Sequence, residues 1–254
     1  MASSQKSPLL FVALLVGLVA IGAGGIYYKM RSAPKPIVLS ETAIVPKSEG
    51  YLLGNPDAPV TIIEFADFEC EQCANFAAVT EPDVRKRIIE TGLANMRFYD
   101  FPIVERHPNS ILASLAASCA ADQGKFWPMH DVLLARQGEW QGHTQSKPNP
   151  ARELQSYAKE IELDMAKYEA CFESRENVPR INAHYKAGIT MQVPATPSFV
   201  IGGTLYRGNQ PYDAIKAAVE LATAKAAVGK TPAELSKGRM VDAAETSRRT
   251  KRSQ

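Results

Sequence analysis

The clearest change of pattern along the chain falls at Val60–Cys73. Val60, Thr61, Ile62, Ile63, Glu64, Phe65 and Ala66 form a β-branched and aromatic run of strand length, preceded by the turn residues Gly54, Asn55, Pro56, Asp57 and Pro59. Apolar residues then recur at Phe76, Val79, Val84 and Ile88, a helical spacing that Pro82 bends or restarts. A strand therefore hands over to a helix through Asp67–Cys73. Asn95–Phe101 alternates and ends before Pro102, which predicts a second core strand. From Asn109 to about Lys186 the period is helical, with Ile111, Leu112, Leu115, Ala116 and Cys119, then Phe126, Met129 and Leu133, then Leu154, Tyr157 and Ile161, then Tyr168, Cys171 and Phe172. Gln137 to Pro150, rich in Gly, Gln and Pro, is predicted as a surface loop within that block. Phe199–Tyr206 reads as a hairpin around Gly202–Gly203, and Ile215, Ala218, Val219 and Ala222 as a closing helix behind Pro211.

The ends of the chain are patterned differently. Leu9 to Tyr28 carries no charge, and about twenty apolar residues suffice to span a bilayer. Ala20, Gly22, Ala23, Gly24 and Gly25 offer a small-residue cleavage site, but the length of the run favours an uncleaved signal anchor. Lys29, Arg31 and Lys35 after the span oppose an exported orientation under the positive-inside rule. The cysteine chemistry outweighs them and places the domain on the extracytoplasmic side of a cell membrane, periplasmic or extracellular. The segment 29–50 is a proline-bearing linker and 51–228 the folded domain. The segment 229–254, where basic residues outnumber acidic ones, reads as a disordered tail. A net charge of +2 makes no case for nucleic acid, and no phosphate loop, metal constellation or internal repeat is present.

Cys70 and Cys73 carry the candidate chemistry. At a strand-to-helix turn, the first cysteine of a CxxC meets the unpaired N–H groups and the positive end of the helix dipole, which favour thiolate. That thiolate attacks a disulfide, and the second cysteine resolves the mixed disulfide. Zinc uses the same spacing but needs further ligands, and Cys119, Cys171 and the four histidines are scattered. A merely structural bridge would close too little chain to stabilise much. Cys70 is the candidate nucleophile, Cys73 the resolving thiol, and no cofactor beyond their redox-active disulfide is called for. Glu64 interrupts an apolar run, which makes it either an acid with a role or an edge residue facing water.

The run Glu64–Cys73 resembles the active-site strand and turn of the thioredoxin superfamily, and is most similar to its DsbA-like thiol-disulfide oxidoreductases. Cys119–Trp127, Met129–Asp131, Val132–Leu134 and Pro194–Gly203 continue the resemblance in order, over about residues 50–225. It implies an α/β thioredoxin fold with a helical subdomain inserted at about 107–187; the uncharged run places an N-terminal transmembrane helix over 9–28 before it, after a short segment 1–8. It implies a proton-accepting role for Glu64 beneath Cys73, and a cis-proline at Pro197 whose neighbour Thr196 offers its backbone to a substrate segment; Pro194 is the competing proline. Some similar proteins carry a helix-stapling disulfide, which here would join Cys119 to Cys171. Reduced core thiols are the alternative, but an even cysteine count behind an export-like segment favours the staple. Partners implied are cysteine-containing secreted or membrane proteins and a membrane redox protein that recycles the pair. Glu71–Gln72 replaces the Pro-His of strongly oxidising relatives, and with Asp67 and Glu69 nearby it is expected to leave Cys70 less acidified. An oxidase is the first reading, a reductase or isomerase the second, and a non-catalytic partner-binding domain the third. His107 and His130 are read as structural.

Overall fold

The computed structural model describes residues 15, 17–23, 35–39, 50–142 and 149–228. It divides into two units, Met1–Lys35 and Pro36–Gln254. In the first, residues 15 and 17–23 are helical. Among the described residues no helix is long and apolar enough to cross a membrane. The span expected over 9–28 lies for the most part outside them, and the tail 229–254 wholly so.

The second unit is built on a six-stranded sheet. Its strands are β1 (Ile37–Val38), β2 (Tyr51–Leu53), β3 (Thr61–Ala66), β4 (Asn95–Asp100), β5 (Ser198–Ile201) and β6 (Thr204–Arg207), in the spatial order β1-β6-β5-β3-β4-β2. Only β3 and β4 are parallel. Their crossover runs through α1 (Glu71–Val79), α2 (Glu81–Val84) and a π-helical turn, Arg85–Ile89. Pro82 lies in the first turn of α2, where its missing N–H costs nothing, and so it restarts the helix after Thr80. β1 falls inside the segment expected to be only a linker; its two residues pair with Leu205 and Thr204, so the unit begins before Tyr51.

β3 is central, which is why its sequence is an almost unbroken apolar run instead of an alternating one. Ile63 and Phe65 face one side, packed with Tyr99, Phe101, Met191 and Val193. Ile62 faces the other, with Phe76, Val84, Ile88, Phe199 and the closing helix α9 (Tyr212–Val228). Between β4 and β5 lie α3 (Ser110–Ala121), α4 (Phe126–Ala135), α5 (Gln137–Trp140), α6 (Pro150–Glu160), α7 (Met165–Ser174) and α8 (Val178–Thr190). α3 is buried along most of its length because Ala and Ser let neighbouring helices approach closely. In α8 a side chain at Gly188 would overlap the Phe101 ring, so glycine sets how closely this helix approaches the sheet. Cys119 of α3 and Cys171 of α7 are bridged, with Cα atoms 5.8 Å apart.

Residues 137–140, expected in a surface loop, form α5. Trp140 is fully buried and donates its indole N–H to the Leu133 carbonyl, and Gln137 donates to the Phe68 carbonyl at 2.7 Å. One large apolar ring outweighed the polar composition around it.

Candidate active site

Cys70 caps α1, with φ −81° and ψ 120°, an extended residue at the last step before the helix. The turn leading to it is fixed by its own acids. Asp67 Oδ1 accepts from the Glu69 amide at 2.9 Å, and Oδ2 accepts from the Ile103 amide and pairs with His107 Nδ1, both at 2.7 Å. Glu69, also buried, accepts from the amides of Asn109 and Gly142 at 2.7 Å. Asp67 and Glu69 thus stitch the active-site turn to the loop after β4 and to the end of α5. Charges so fully engaged by N–H donors weigh less on a neighbouring sulfur than bare carboxylates would. Glu71, by contrast, is exposed in the first turn of α1.

Cys70 and Cys73 are unbridged and both buried, Cys73 at 1% exposure and Cys70 at 8%. The Cys70 thiol is pulled down to about 6, chiefly because the Cys73 thiol donates to its sulfur. Partial burial opposes this, while Thr196 and the amides of Cys73 and Gln72 assist. Burial pushes the Cys73 thiol well above its usual range, and the charges of Cys70 and Glu64 add to the shift. The two sulfurs are thus set apart: one is ionised near neutrality, and its neighbour stays protonated.

Glu64 is buried at 2% exposure, on the same side of β3 as Ile62, and is paired in register with Phe98 and Phe199. The edge position facing water does not apply. Its carboxyl is raised well above the ordinary range by burial, then by the Glu81 charge, against the opposing Arg85. Its Oε2 has no hydrogen-bond partner among the described residues.

The Thr196–Pro197 bond is cis, whereas Pro194 follows a trans bond. Pro197 leads directly into β5, next to β3 in the sheet, so the chain passes back beside the cysteine turn. The Cys70 thiol donates to the Thr196 carbonyl at 3.5 Å, which brings the two sequence-distant motifs together. Cys119 and Cys171 lie apart from this site in the helical subdomain.

Cys70 opens onto a cleft of about 410 Å³ lined also by Glu69, Glu71, Gln72, Arg106, His107, Gln141 and Gly142. The sequence reading missed His107 here. Its hydrogen bond to buried Asp67 raises its basicity against partial burial, so a titratable cation borders the cysteine. Its place just before Pro108 gave no clue, because the partner lies 40 residues away. His130 stays within the core, edge-on to Phe68 and Phe98. Trp127 beside it donates its N–H to the Leu52 carbonyl at 2.7 Å. The described residues include one acid–histidine cluster, Glu81, His130 and Asp131, but the Arg85 guanidinium already bridges its two carboxylates.

A CxxC capping the helix after a central strand, opposite a cis-proline and beneath a helical insertion, defines a thioredoxin-type α/β fold. Residues 47–221 match the family model described as thioredoxin, and the chain belongs to that family. The fold is that of DsbA proteins. It is similar to alpha-DsbA1 of Wolbachia pipientis (TM-score 0.62, 21% identity, 74% of this chain and 97% of that one). It is also similar to oxidised BdbD of Bacillus subtilis (TM-score 0.60, 22% identity, 73% and 95%). Among curated proteins it is 34% identical over 176 residues to the Na(+)/H(+) antiporter NhaA 3 of Salinispora tropica, a match covering 69% of this chain. The chain spans about a quarter of that antiporter's length.

Proposed function

We propose that this chain is an extracytoplasmic thiol-disulfide oxidoreductase that exchanges disulfides with protein substrates and acts in the oxidising direction. The observation that carries the reading is the division of the two thiols: Cys70 acidified to about 6 at the mouth of a cleft, Cys73 held protonated beneath it. In this reading a substrate thiolate attacks Cys70 Sγ, the Cys70–Cys73 bond breaks, and its electron pair leaves on Cys73, which takes a proton from Glu64. A second substrate thiolate then displaces Cys70, which leaves readily as a stabilised thiolate. The Thr196 backbone, beside Cys70, is the edge on which an extended substrate segment pairs while its sulfur is aligned.

A thiol near 6 sits between the roughly 3.5 of the strongest oxidants in this superfamily and the roughly 7 of its reductants. The corresponding potential falls inside the roughly −120 to −270 mV that separates them. Location outside the cytoplasm is supported by the Cys119–Cys171 bridge, since such bridges persist in oxidising compartments, and by the uncharged run 9–28 as a membrane anchor. Cysteine-containing secreted or membrane proteins are then the substrates, and a membrane redox protein reoxidises the pair.

Equilibration of the full chain in glutathione buffers, with thiols counted, tests this. A two-electron transition between those limits that vanishes in Cys70→Ser is the expected result. A pair that never exchanges, or a Cys70→Ser variant that complements as well as the parent, would leave only a partner-binding domain. A value near −270 mV would reverse the direction to reduction.

A further inference from the structure

A substrate thiol must lose its proton before its sulfur can attack Cys70, and only a small fraction of such a thiol is ionised near neutral pH. Cys73 and Glu64 are both buried, so neither meets the incoming thiol. A base for it has to stand in the cleft. Of the charged groups there, Glu69 is occupied by the amides of Asn109 and Gly142, Arg106 has no proton to exchange, and Glu71 is an exposed carboxylate, too weak a base for a thiol. His107 remains.

His107 is fastened to the turn that carries Cys70. Its Nδ1 lies 2.7 Å from Asp67 Oδ2, and the Asp67 carbonyl accepts the Cys70 amide at 3.0 Å. With Nδ1 committed to Asp67, Nε2 is the ring nitrogen left for the cleft. It has no partner among the described residues, and unlike Nε2 of His130 it is not sealed from solvent. A tie that served only to hold the loop would duplicate the Ile103 amide, which already donates to the same Asp67 oxygen at 2.7 Å. Nor would it account for the free edge of the ring opening beside Cys70. At about 410 Å³ the cleft is at the small end of ligand pockets, so a sulfur brought there against Cys70 has His107 on the same wall-to-wall space. A buried carboxylate on one ring nitrogen and a reacting proton at the other is the arrangement that fixes a histidine for proton transfer.

We propose that His107, oriented by Asp67, is the base that takes the proton of the attacking substrate thiol, an inference that rests on the oxidising reading above. His107 Nε2 accepts the proton, the substrate sulfur bonds to Cys70, the Cys70–Cys73 bond breaks, and its electron pair goes to Cys73, which Glu64 protonates. His107 gives its proton to water through the open cleft and then serves the second substrate thiol, whose sulfur displaces Cys70 as a thiolate. Both substrate electrons end on the cysteines, and both substrate thiol protons leave by His107. The groups that face the ring are Asp67, Glu69 and Cys70 from the turn before α1, with Arg106 beside it in its own loop and Glu71 sharing the cleft. The hydrogen bond to Asp67 raises its basicity against partial burial, and the charge of Cys70 adds to the rise. A disulfide carries no such charge. The proton on His107 is therefore held more firmly as Cys70 departs, which favours the forward step.

The test measures reduction of the oxidised full chain at pH 8 by two monothiols in excess, with acid quenching and thiol counting. Mercaptoethanol is mostly unionised at that pH and trifluoroethanethiol is mostly thiolate. His107→Ala should slow the mercaptoethanol reaction roughly tenfold and the trifluoroethanethiol reaction far less, because an ionised thiol needs no base. Added imidazole should restore most of the lost mercaptoethanol rate. Equal slowing for both thiols without rescue, or parent-like rates with both, overturns the proposal and leaves His107 as a tie between loop and turn. If His107→Ala does not fold, the parent decides: its mercaptoethanol rate from pH 6 to pH 9 should climb less steeply than the thiolate fraction, and a rate that tracks that fraction overturns the proposal. A parent that neither thiol reduces overturns the oxidoreductase reading itself, and this inference with it.

Discussion

Replacing Glu64 by leucine should make the protein more stable and less active. The carboxyl sits on a central strand between Phe98 and Phe199, on the face it shares with Ile62, and its Oε2 has no partner among the described residues. Leucine is close to it in volume and has no group to desolvate. Removing an unsatisfied buried polar group is worth about 1–3 kcal/mol, from which imperfect repacking subtracts up to about 1. A net gain of about 1–2 kcal/mol corresponds to roughly 2–8 °C in a domain of this size.

The sign with pH is fixed by the same burial. The folded-state pKa of Glu64 is raised above the ordinary 4.5, so its contribution to stability is fully present below that value and is lost as pH rises toward the folded one. Leucine does not titrate. The advantage of Glu64→Leu should therefore be smallest near pH 4 and should grow between pH 5 and pH 8. Thermal melts of the reduced parent and variant at pH 4, 6 and 8 read this directly. A variant that melts below the parent at pH 8, or whose advantage shrinks as pH rises, refutes the reasoning, because either would mean that Glu64 is ionised and paired.

Cys70 alkylation by iodoacetamide should follow a titration with a midpoint near 6. In Cys73→Ala the midpoint should rise by about 1–2 units, since a hydrogen bond to a charged group is worth about 1.5–3 kcal/mol; an unmoved midpoint would mean that Cys73 is not the main donor. Removing the Cys119–Cys171 bridge with paired serines, across a separation of 52 residues, should cost roughly 4 kcal/mol in chemical denaturation and leave the Cys70 titration unchanged. His107→Asn should destabilise by roughly 1–3 kcal/mol at pH 6 and by much less at pH 9, because His107, raised by Asp67, contributes fully below its unfolded pKa and loses that contribution above its folded one. Equal destabilisation at both pH values would show that the imidazolium–carboxylate pair does not form.

Much of this was legible from the chain because the signals are local. The apolar run of β3, the CxxC at the next turn and the Gly202–Gly203 hairpin are each set by neighbours within a few residues. What escaped was set by partners distant in sequence. Asp67, Glu69 and Glu71 look alike on the page, and the sequence treats them as one negative patch facing the nucleophile. The fold separates them: it turns Asp67 toward Ile103 and His107 and Glu69 toward Asn109 and Gly142, and leaves Glu71 in water. A carboxylate's effect on a thiol depends on whether its lone pairs are already engaged, and that is a property of the folded loop, not of spacing. The same holds beneath the cysteines. Glu64 could be singled out because an acid in an apolar strand is locally anomalous, whereas Glu81 and His130 look ordinary on amphipathic helices. The fold buries all three and sets the Glu81 carboxylate 4.0 Å from His130 Nε2, a meeting of α2 with α4 that no local pattern announces. Acidity at the mouth of the site is thus set by local turn geometry, and the burial that raises Glu64 and Cys73 at its floor by tertiary packing. Substitutions in Asp67–Cys73 should therefore move the Cys70 titration, and substitutions that open the packing over Glu64 and Cys73 should lower the raised values of both.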